Sequence, residues 1–399
     1  LTHMNLKYIE PNELLLDSFK LGKKIYESGF IPTRAISLWR GGTPIGLGVG
    51  EYFRLKGRLI NHTTVATASY SGINASSEVI IKGLEHLIEV VASEDNLLII
   101  DDIYDSGSTV NAIIETIKKS ARMNTPGNIV VGCIHYKKRK RNFEHNVVYI
   151  EEIDDNVWLS YPHEISDLVD PKDKDDKNIY NKSPEIHSIV TQNNIYETEN
   201  ISINSNYFYC SLESILIDSL KLASNIYHSG YRPDFLIALW PGGISSGISI
   251  HEFFKYKEKK GEAGFKAPDH ISINTSLSDF SYKSNIIGIK YLEDNINFDD
   301  KILIVNTEFA SGRLVNQTID KLKEILKRNI TLENIKVASI YYYPNEDATR
   351  ATNPTFNSPH YFLKKTNATA IFPQQIHRLL NPERELETLF PQLKKIIYG

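Results

Sequence analysis

The chain is expected to be an α/β protein built from two tandem copies of one domain, each a mostly parallel sheet flanked by helices. Three observations lead there. Helical and strand periodicities alternate along the chain. A long stretch of sequence returns about 200 residues further on. In each copy an apolar strand runs into a glycine turn that opens a helix.

The elements of the first copy can be justified in order. Residues 13–28 place apolar side chains at helical spacing, and 35–39 form a short apolar run of strand length. A helix over 44–55, a strand near 63–68 and a helix over 76–92 follow. Leu97-Leu-Ile-Ile100 suits a buried strand, and Asp105-Ser-Gly-Ser-Thr109 opens a helix over Val110–Lys119. A further strand runs Ile129–Tyr136. Alternation of this kind makes parallel sheets, whose ligands collect beyond the carboxyl ends of the strands.

Self-similarity places the second copy. Ile36-Ser-Leu-Trp-Arg-Gly-Gly42 returns as Ile237-Ala-Leu-Trp-Pro-Gly-Gly243, an offset of 201 from Gly41 to Gly242. At the same offset Lys24-Ile-Tyr-Glu-Ser-Gly-Phe-Ile-Pro32 matches Asn225-Ile-Tyr-His-Ser-Gly-Tyr-Arg-Pro233, and Glu51-Tyr-Phe53 matches Glu252-Phe-Phe254. The glycine turn recurs with Gly312 against Gly107, an offset of 205. The expected domains are 4–166 and 201–399, joined by a polar linker and arm over 167–200 that shows little apolar periodicity.

Composition bounds the function. With 399 residues, 41% of them hydrophobic, the chain can fill two or three ordinary cores. No run approaches the roughly 20 apolar residues of a membrane span, and no segment has the layout of a signal peptide, so no membrane association and a cytoplasmic location are expected. Cys133 and Cys210 lack metal-ligand spacing and read as buried free thiols. A net charge of −4 argues against a nucleic-acid coat. The basic run Lys137-Lys-Arg-Lys-Arg141 reads first as a solvated hairpin tip, with nucleic-acid contact or extra phosphate contacts as alternatives.

The segment from Leu97 to Val110 carries the most chemistry. Asp101 and Asp102 sit where the strand ends, and the Ser106-Gly-Ser-Thr109 turn begins the next helix. Backbone N–H groups at a helix start favour an anion, Gly107 permits close approach, and Ser106, Ser108 and Thr109 add hydroxyl donors. Carboxylates repel phosphate, so the acid pair suits ribose hydroxyls or a magnesium ion held among hydroxyls and waters. Asp105 also stands where an N-cap would.

This order of strand, two acids and acidic-Ser/Thr-Gly loop resembles the phosphoribosyl-pyrophosphate (PRPP) signature of the type I phosphoribosyltransferases. Over residues 13–165 it resembles the purine branch, the xanthine-guanine and hypoxanthine enzymes. The resemblance implies PRPP binding by Asp101, Asp102, Asp105, Ser106, Gly107, Ser108, Thr109, Arg40 and Gly41, with Mg2+ near Asp101 and Asp102 partly through substrate and water. It implies that Arg40-Gly41 holds the leaving diphosphate, which an arginine fork suits physically. Asp105 would accept the purine proton, Lys137 would contact the 6-oxo group, Trp158 would stack on the base, and Ser69-Tyr70 would belong to a closing loop.

In the second copy Asp101 and Asp102 give way to Asn306 and Thr307, Asp105 to Ala310, and Arg40 to Pro241. Ser108 and Thr109 become Arg313 and Leu314, while Gly242, Gly243, Ser311 and Gly312 persist. The second copy is therefore read as a non-catalytic domain with an intact scaffold. The expected activity is transfer of a 5-phosphoribosyl group from PRPP to a purine-type base by the first copy. Alternatives are a PRPP- or purine-sensing regulator without turnover, and transfer to a non-purine acceptor. Enzymes of this fold commonly pair, so a homo-oligomer is compatible with the resemblance.

Overall fold

The computed structural model describes residues 5–69, 79–261, 264–274, 289–344 and 354–399. The chain divides into two compact units: Leu1–Tyr161 with Pro373–Gly399, and Pro162–Phe372.

The first unit runs β1 (Asn5–Tyr8), α1 (Pro11–Glu27), β2 (Arg34–Trp39), α2 (Gly42–Leu55), β3 (Asn61–Ser69), β4 (Val79–Lys82), α3 (Glu85–Val90), β5 (Asn96–Tyr104), α4 (Ser108–Ala121), β6 (Asn128–Lys138), β7 (Val147–Asp154) and β8 (Val157–Ser160). Its sheet has the order β4-β3-β2-β5-β6-β7, parallel throughout except for the antiparallel pair β3–β4. β1 and β8 form a separate parallel ribbon. Leu97 to Ile100 on central β5 are fully buried because that strand is covered on both faces. Ile36, Leu38, Leu97, Ile99 and Val131 pack with Val110, Ile113 and Ile117 of α4, while α1 and α2 pack together and α2 against β5.

The second unit opens with α5 (Lys177–Lys182), α6 (Pro184–Thr191), β9 (Glu199–Ile201) and β10 (Tyr207–Tyr209). It continues with α7 (Leu212–His228), β11 (Phe235–Trp240), α8 (Ile244–Lys259), β12 (Asp269–Asn274), α9 (Ile289–Asn295), β13 (Ile302–Val305), β14 (Glu308–Phe309), α10 (Arg313–Leu326), β15 (Ile335–Tyr342), β16 (Tyr361–Thr366) and β17 (Thr369–Ile371). Its parallel sheet has the order β12-β11-β13-β15-β16-β9, with β14 also on β15, and β10 pairs β17 in a separate ribbon. Beyond β17, α11 (Pro382–Leu389) and α12 (Pro391–Tyr398) return to the first unit.

Three expectations need correction. Of the helix expected over 76–92, residues 76–78 lie outside the described residues and the rest is β4 followed by short α3, because Gly83 at φ +89° breaks the chain and Val79-Ile-Ile81 are β-branched. Residues 167–200, expected as a polar linker, include α5 and α6. Ser183 caps α6 by accepting from Ile186 N at 3.2 Å, and Ile186, Ile189 and Val190 are buried at helical spacing. Residues 373–399, assigned to the second domain by position in the chain, belong to the first unit. Among the described residues no helix is long and apolar enough to cross a membrane.

Candidate active site

The site is built where β5 meets α2 and α4. Asp102 is buried, and a Cβ placed on Gly41 would lie 1.7 Å from its Oδ2. A Cβ on Gly42 would lie 2.2 Å from the Ile100 carbonyl oxygen. The glycine pair is therefore required for the start of α2 to approach the acid pair so closely. Asp102 Oδ1 accepts from Ile103 N at 2.7 Å, and Asp101 Oδ1 accepts from Asp102 N at 3.0 Å. Burial, and then the neighbouring Asp101 charge, push the Asp102 carboxyl up to about 8, against the pull of the Arg40 guanidinium.

The Asp102 backbone is held from behind. Its carbonyl accepts from the Tyr161 hydroxyl at 3.1 Å, and that hydroxyl lies 2.8 Å from Nδ1 of fully buried His135. Glu151 Oε2 lies 3.3 Å from His135 Nε2, and burial lowers the imidazole pKa despite that carboxylate. Sequence reading missed this strut. Its only early signal is register, since β5–β6–β7 pairing sets Ile103, His135 and Glu151 side by side.

Gly107 opens α4 at φ +79°, and no side chain caps the helix. A Cβ on Gly107 would lie 2.5 Å from the Tyr104 hydroxyl, so the aromatic ring beneath the turn, as well as the backbone angle, demands glycine. Ser106 and Ser108 are exposed, with hydroxyl oxygens 2.9 Å apart, and Ser106 Oγ also accepts from Ser108 N at 3.2 Å. Thr109 is half-buried on the first turn of α4.

Asp105 does not act as a cap. Its Oδ1 lies 2.8 Å from Arg139 Nη1 and its Oδ2 3.8 Å from Lys137 Nζ. Lys137 is buried, and its Nζ also donates to the Asp155 carbonyl at 3.4 Å. Arg139 further donates from Nε to Asp155 Oδ1 at 2.7 Å. Trp158, 39% exposed on β8, stands three residues beyond Asp155.

The basic run is thus not a simple solvated tip. Arg141 donates from Nε to the Asp105 carbonyl at 2.7 Å and from Nη1 to the Tyr136 hydroxyl at 2.7 Å, and its guanidinium lies 4.1 Å from the Tyr136 ring centroid. It ties the segment after β6 to the acidic turn. Lys138 faces outward and pairs with Glu152 at 3.5 Å. Side-chain alternation along β6 separates the inward Lys137 from the outward Lys138. Of the expected closing loop, Tyr70 lies outside the described residues and Ser69 is the last residue of β3.

Asp101 and Asp102 do not end the strand as expected: pairing with β2 stops at Ile100, but β5 continues to Tyr104 along β6. Inside that strand they meet Gly41 and the Arg40 charge, and Asp105 meets Lys137 at the turn that follows. Such a rim can hold hydroxyls or a hard cation at the acids, and an anion at the helix start.

No family model and no curated protein matches the chain. Among solved structures, a hypothetical protein from Neisseria gonorrhoeae with bound ppGpp is 16% identical, with a TM-score of 0.34, over 45% of this chain and 97% of that one. A purine phosphoribosyltransferase from Pyrococcus horikoshii Ot3 is 20% identical, TM-score 0.29, over 40% of this chain and 94% of that one. The Helicobacter pylori xanthine-guanine-hypoxanthine phosphoribosyltransferase is 14% identical, TM-score 0.32, over 39% and 92% respectively.

Proposed function

We propose that the chain is a tandem duplication whose first copy transfers the 5-phosphoribosyl group of PRPP to a purine-type base, releasing diphosphate, while the second copy is non-catalytic. The observation that carries this reading is the acid pair in the carboxyl half of β5, packed against the Arg40-Gly41 turn and followed by the Gly107 turn of α4. In it, Asp101 and Asp102 take the ribose hydroxyls. The Gly107 turn with Ser106, Ser108 and Thr109 takes the 5-phosphate. Arg40 and the Gly41 amide take the diphosphate.

The ribosyl–diphosphate bond breaks, the bond from the sugar to a base nitrogen forms, and the proton on that nitrogen passes to Asp105. Lys137, 3.8 Å from Asp105, suits an oxo group beside that nitrogen, and half-exposed Trp158 suits a stacking role. Ser69 and Tyr70 would close over the substrates. Positioning and electrostatics supply the acceleration, with no covalent nucleophile.

The donor set fits magnesium. Two carboxylates offer hard oxygen ligands, and the raised pKa of Asp102 marks a buried acid that a nearby divalent cation would let ionise. Asp101 and Asp102 would hold the ion partly through substrate and water. When bound, it supplies charge neutralisation of the departing diphosphate.

Incubation with PRPP, Mg2+ and a panel of purine and non-purine bases is expected to release diphosphate and nucleotide with an oxopurine. A non-purine product would move the acceptor, and no diphosphate with any base would sink the transferase reading. One observation favours a second reading: both Asp105 oxygens are engaged by cations, Arg139 and Lys137, as suits a PRPP- or purine-sensing protein without turnover. Saturable PRPP binding without diphosphate release would establish that alternative.

A further inference from the structure

Two short segments of the chain have matching sequences and matching places. Tyr161-Pro-His-Glu-Ile165 follows β8 and leads into a 3-10 turn at Ser166–Leu168, and Phe372-Pro-Gln-Gln-Ile376 follows β17 and leads into a 3-10 turn at Ile376–Arg378. Each therefore occupies the same position after the last strand of its own copy. If each copy closed itself, the first segment would dock on α2 and the second on α8.

The opposite is observed. Glu51, buried on α2, accepts from His377 N at 2.7 Å, and its Oε2 lies 2.8 Å from His377 Nδ1. Glu252, buried at the matching place on α8, accepts from Ile165 N at 3.0 Å and Ser166 N at 2.9 Å. The helix ends repeat the pattern: Lys56 donates to the Ile397 carbonyl at 2.6 Å, and Lys259 to the Ser166 carbonyl at 2.8 Å. Ile376, Leu393 and Ile397 are buried in the first unit, and Ile165 and Leu168 in the second.

We infer that the two copies exchange tails: the first copy is closed by the segment after the second copy's last strand, and the second by the segment after the first's. The inference rests on the tandem-repeat reading, and on none of the proposed catalytic roles. A buried carboxylate left without its donors is costly, so Glu51 and Glu252 each specify a partner segment. The partner that fits the surface around Glu51 is a peptide with free N–H groups at a turn, followed by the amphipathic α12, and here the second copy delivers it in cis. This gives that copy a function that needs none of the lost chemistry. Because α2 begins immediately after Arg40-Gly41, the tail also braces the turn proposed to hold diphosphate.

Hydrogen exchange read by mass spectrometry on the full chain and on a chain ending at Phe372 tests the exchange of tails. Removing the tail is expected to speed exchange at least ~10-fold across α1 and α2, residues 11–55, and to leave α7 and α8, residues 212–259, unchanged. Loss of protection in 212–259 with 11–55 unchanged would overturn the inference. Should the truncated chain fail to fold, Glu51→Ala in the full chain is expected to speed exchange in 373–398 and not in 162–168, with Glu252→Ala giving the reverse. The opposite assignment, or no change in either segment, overturns it. Neither readout depends on turnover, so failure here is distinct from failure of the transferase reading.

Discussion

In the carboxyl half of β5 the first unit carries two carboxylates, whereas immediately after β13 the second carries Asn306 and Thr307 within a similar frame. The Asn306 amide donates to the Glu308 carbonyl at 2.8 Å, and the Thr307 hydroxyl lies 2.9 Å from Ser246 Oγ at the start of α8. Glu308, an acid of the same turn, accepts from the Tyr343 hydroxyl at 3.2 Å. The Asn306 amide nitrogen, the Thr307 hydroxyl and the Glu308 carboxylate are thus tied into their own fold. Yet Gly312 holds φ +68°, and a Cβ there would meet the Phe309 ring at 2.4 Å, as one on Gly107 would meet Tyr104. The comparison teaches that a glycine turn at a helix start is demanded by its left-handed backbone angle together with the aromatic packed under it. Persistence of the glycine marks scaffold, and only the charges around it mark chemistry.

That contrast can be broken by experiment. Giving the first unit the second unit's residues, Asp101→Asn with Asp102→Thr, is expected to lower diphosphate release by ~10^3-fold or more, since it removes both groups that fix the ribose. Turnover within tenfold of the parent would detach the acid pair from the reaction. Asp105→Asn should slow turnover ~10^2-fold to 10^4-fold and leave PRPP affinity within about threefold, as loss of a general base does. An equal loss of PRPP affinity would make Asp105 a binding group. In the other direction, Ala310→Asp should leave PRPP stoichiometry at one per chain by calorimetry. A second equivalent would contradict the view that the second turn is committed to internal bonds.

Smaller effects sharpen the comparison through stability. Asp102 titrates near 8 in the folded chain and near 3.9 in a free one, so between those values the folded state holds a proton that the unfolded state releases. Stability contributed by this site is therefore full below the unfolded pKa and falls as pH rises toward 8. Asp102→Asn should be more stabilising at pH 8 than at pH 5 by at least ~1 kcal/mol in urea unfolding. An identical difference at both pH values would show that the acid is not strained by its burial. Finally, Gly107→Ala and Gly312→Ala should each cost ~1–3 kcal/mol, because both force a side chain into the left-handed region against a ring. A large cost at only one of them would show that the two turns are not equivalent scaffolds.

Much of the frame was legible early because strands and helices write their periods locally. The apolar run Leu97–Ile100 marks the central strand, but the acids after it do not end it, because pairing with β6 carries β5 on to Tyr104. The helix expected over 76–92 failed where Gly83 and three β-branched residues outweighed a loose apolar period. The buried stripe Ile186, Ile189 and Val190 was obscured by the polar residues around it. Around the acids, nothing local marks His135 and Tyr161 as site neighbours, and the reading of the basic run as extra phosphate contacts does not foresee that Arg139 and Arg141 bind Asp105 itself, because these partners lie on other strands and turns. A lysine-arginine run looks the same in sequence whether it is solvated or folded back onto a carbonyl.

By itself the sequence determined the alternation of elements, the recurrence of its motifs about 200 residues on, and the absence of the acid pair before the second glycine turn. These are properties of residue type and spacing, which short-range sterics and burial translate directly into structure. Tertiary structure alone decided that Asp102 is buried against Gly41, that Asp105 lies between two cations, and that residues 373–399 close the first unit. Those outcomes depend on which surfaces meet across long stretches of chain. A local pattern can say that a carboxylate needs a partner, but only packing selects which one it receives.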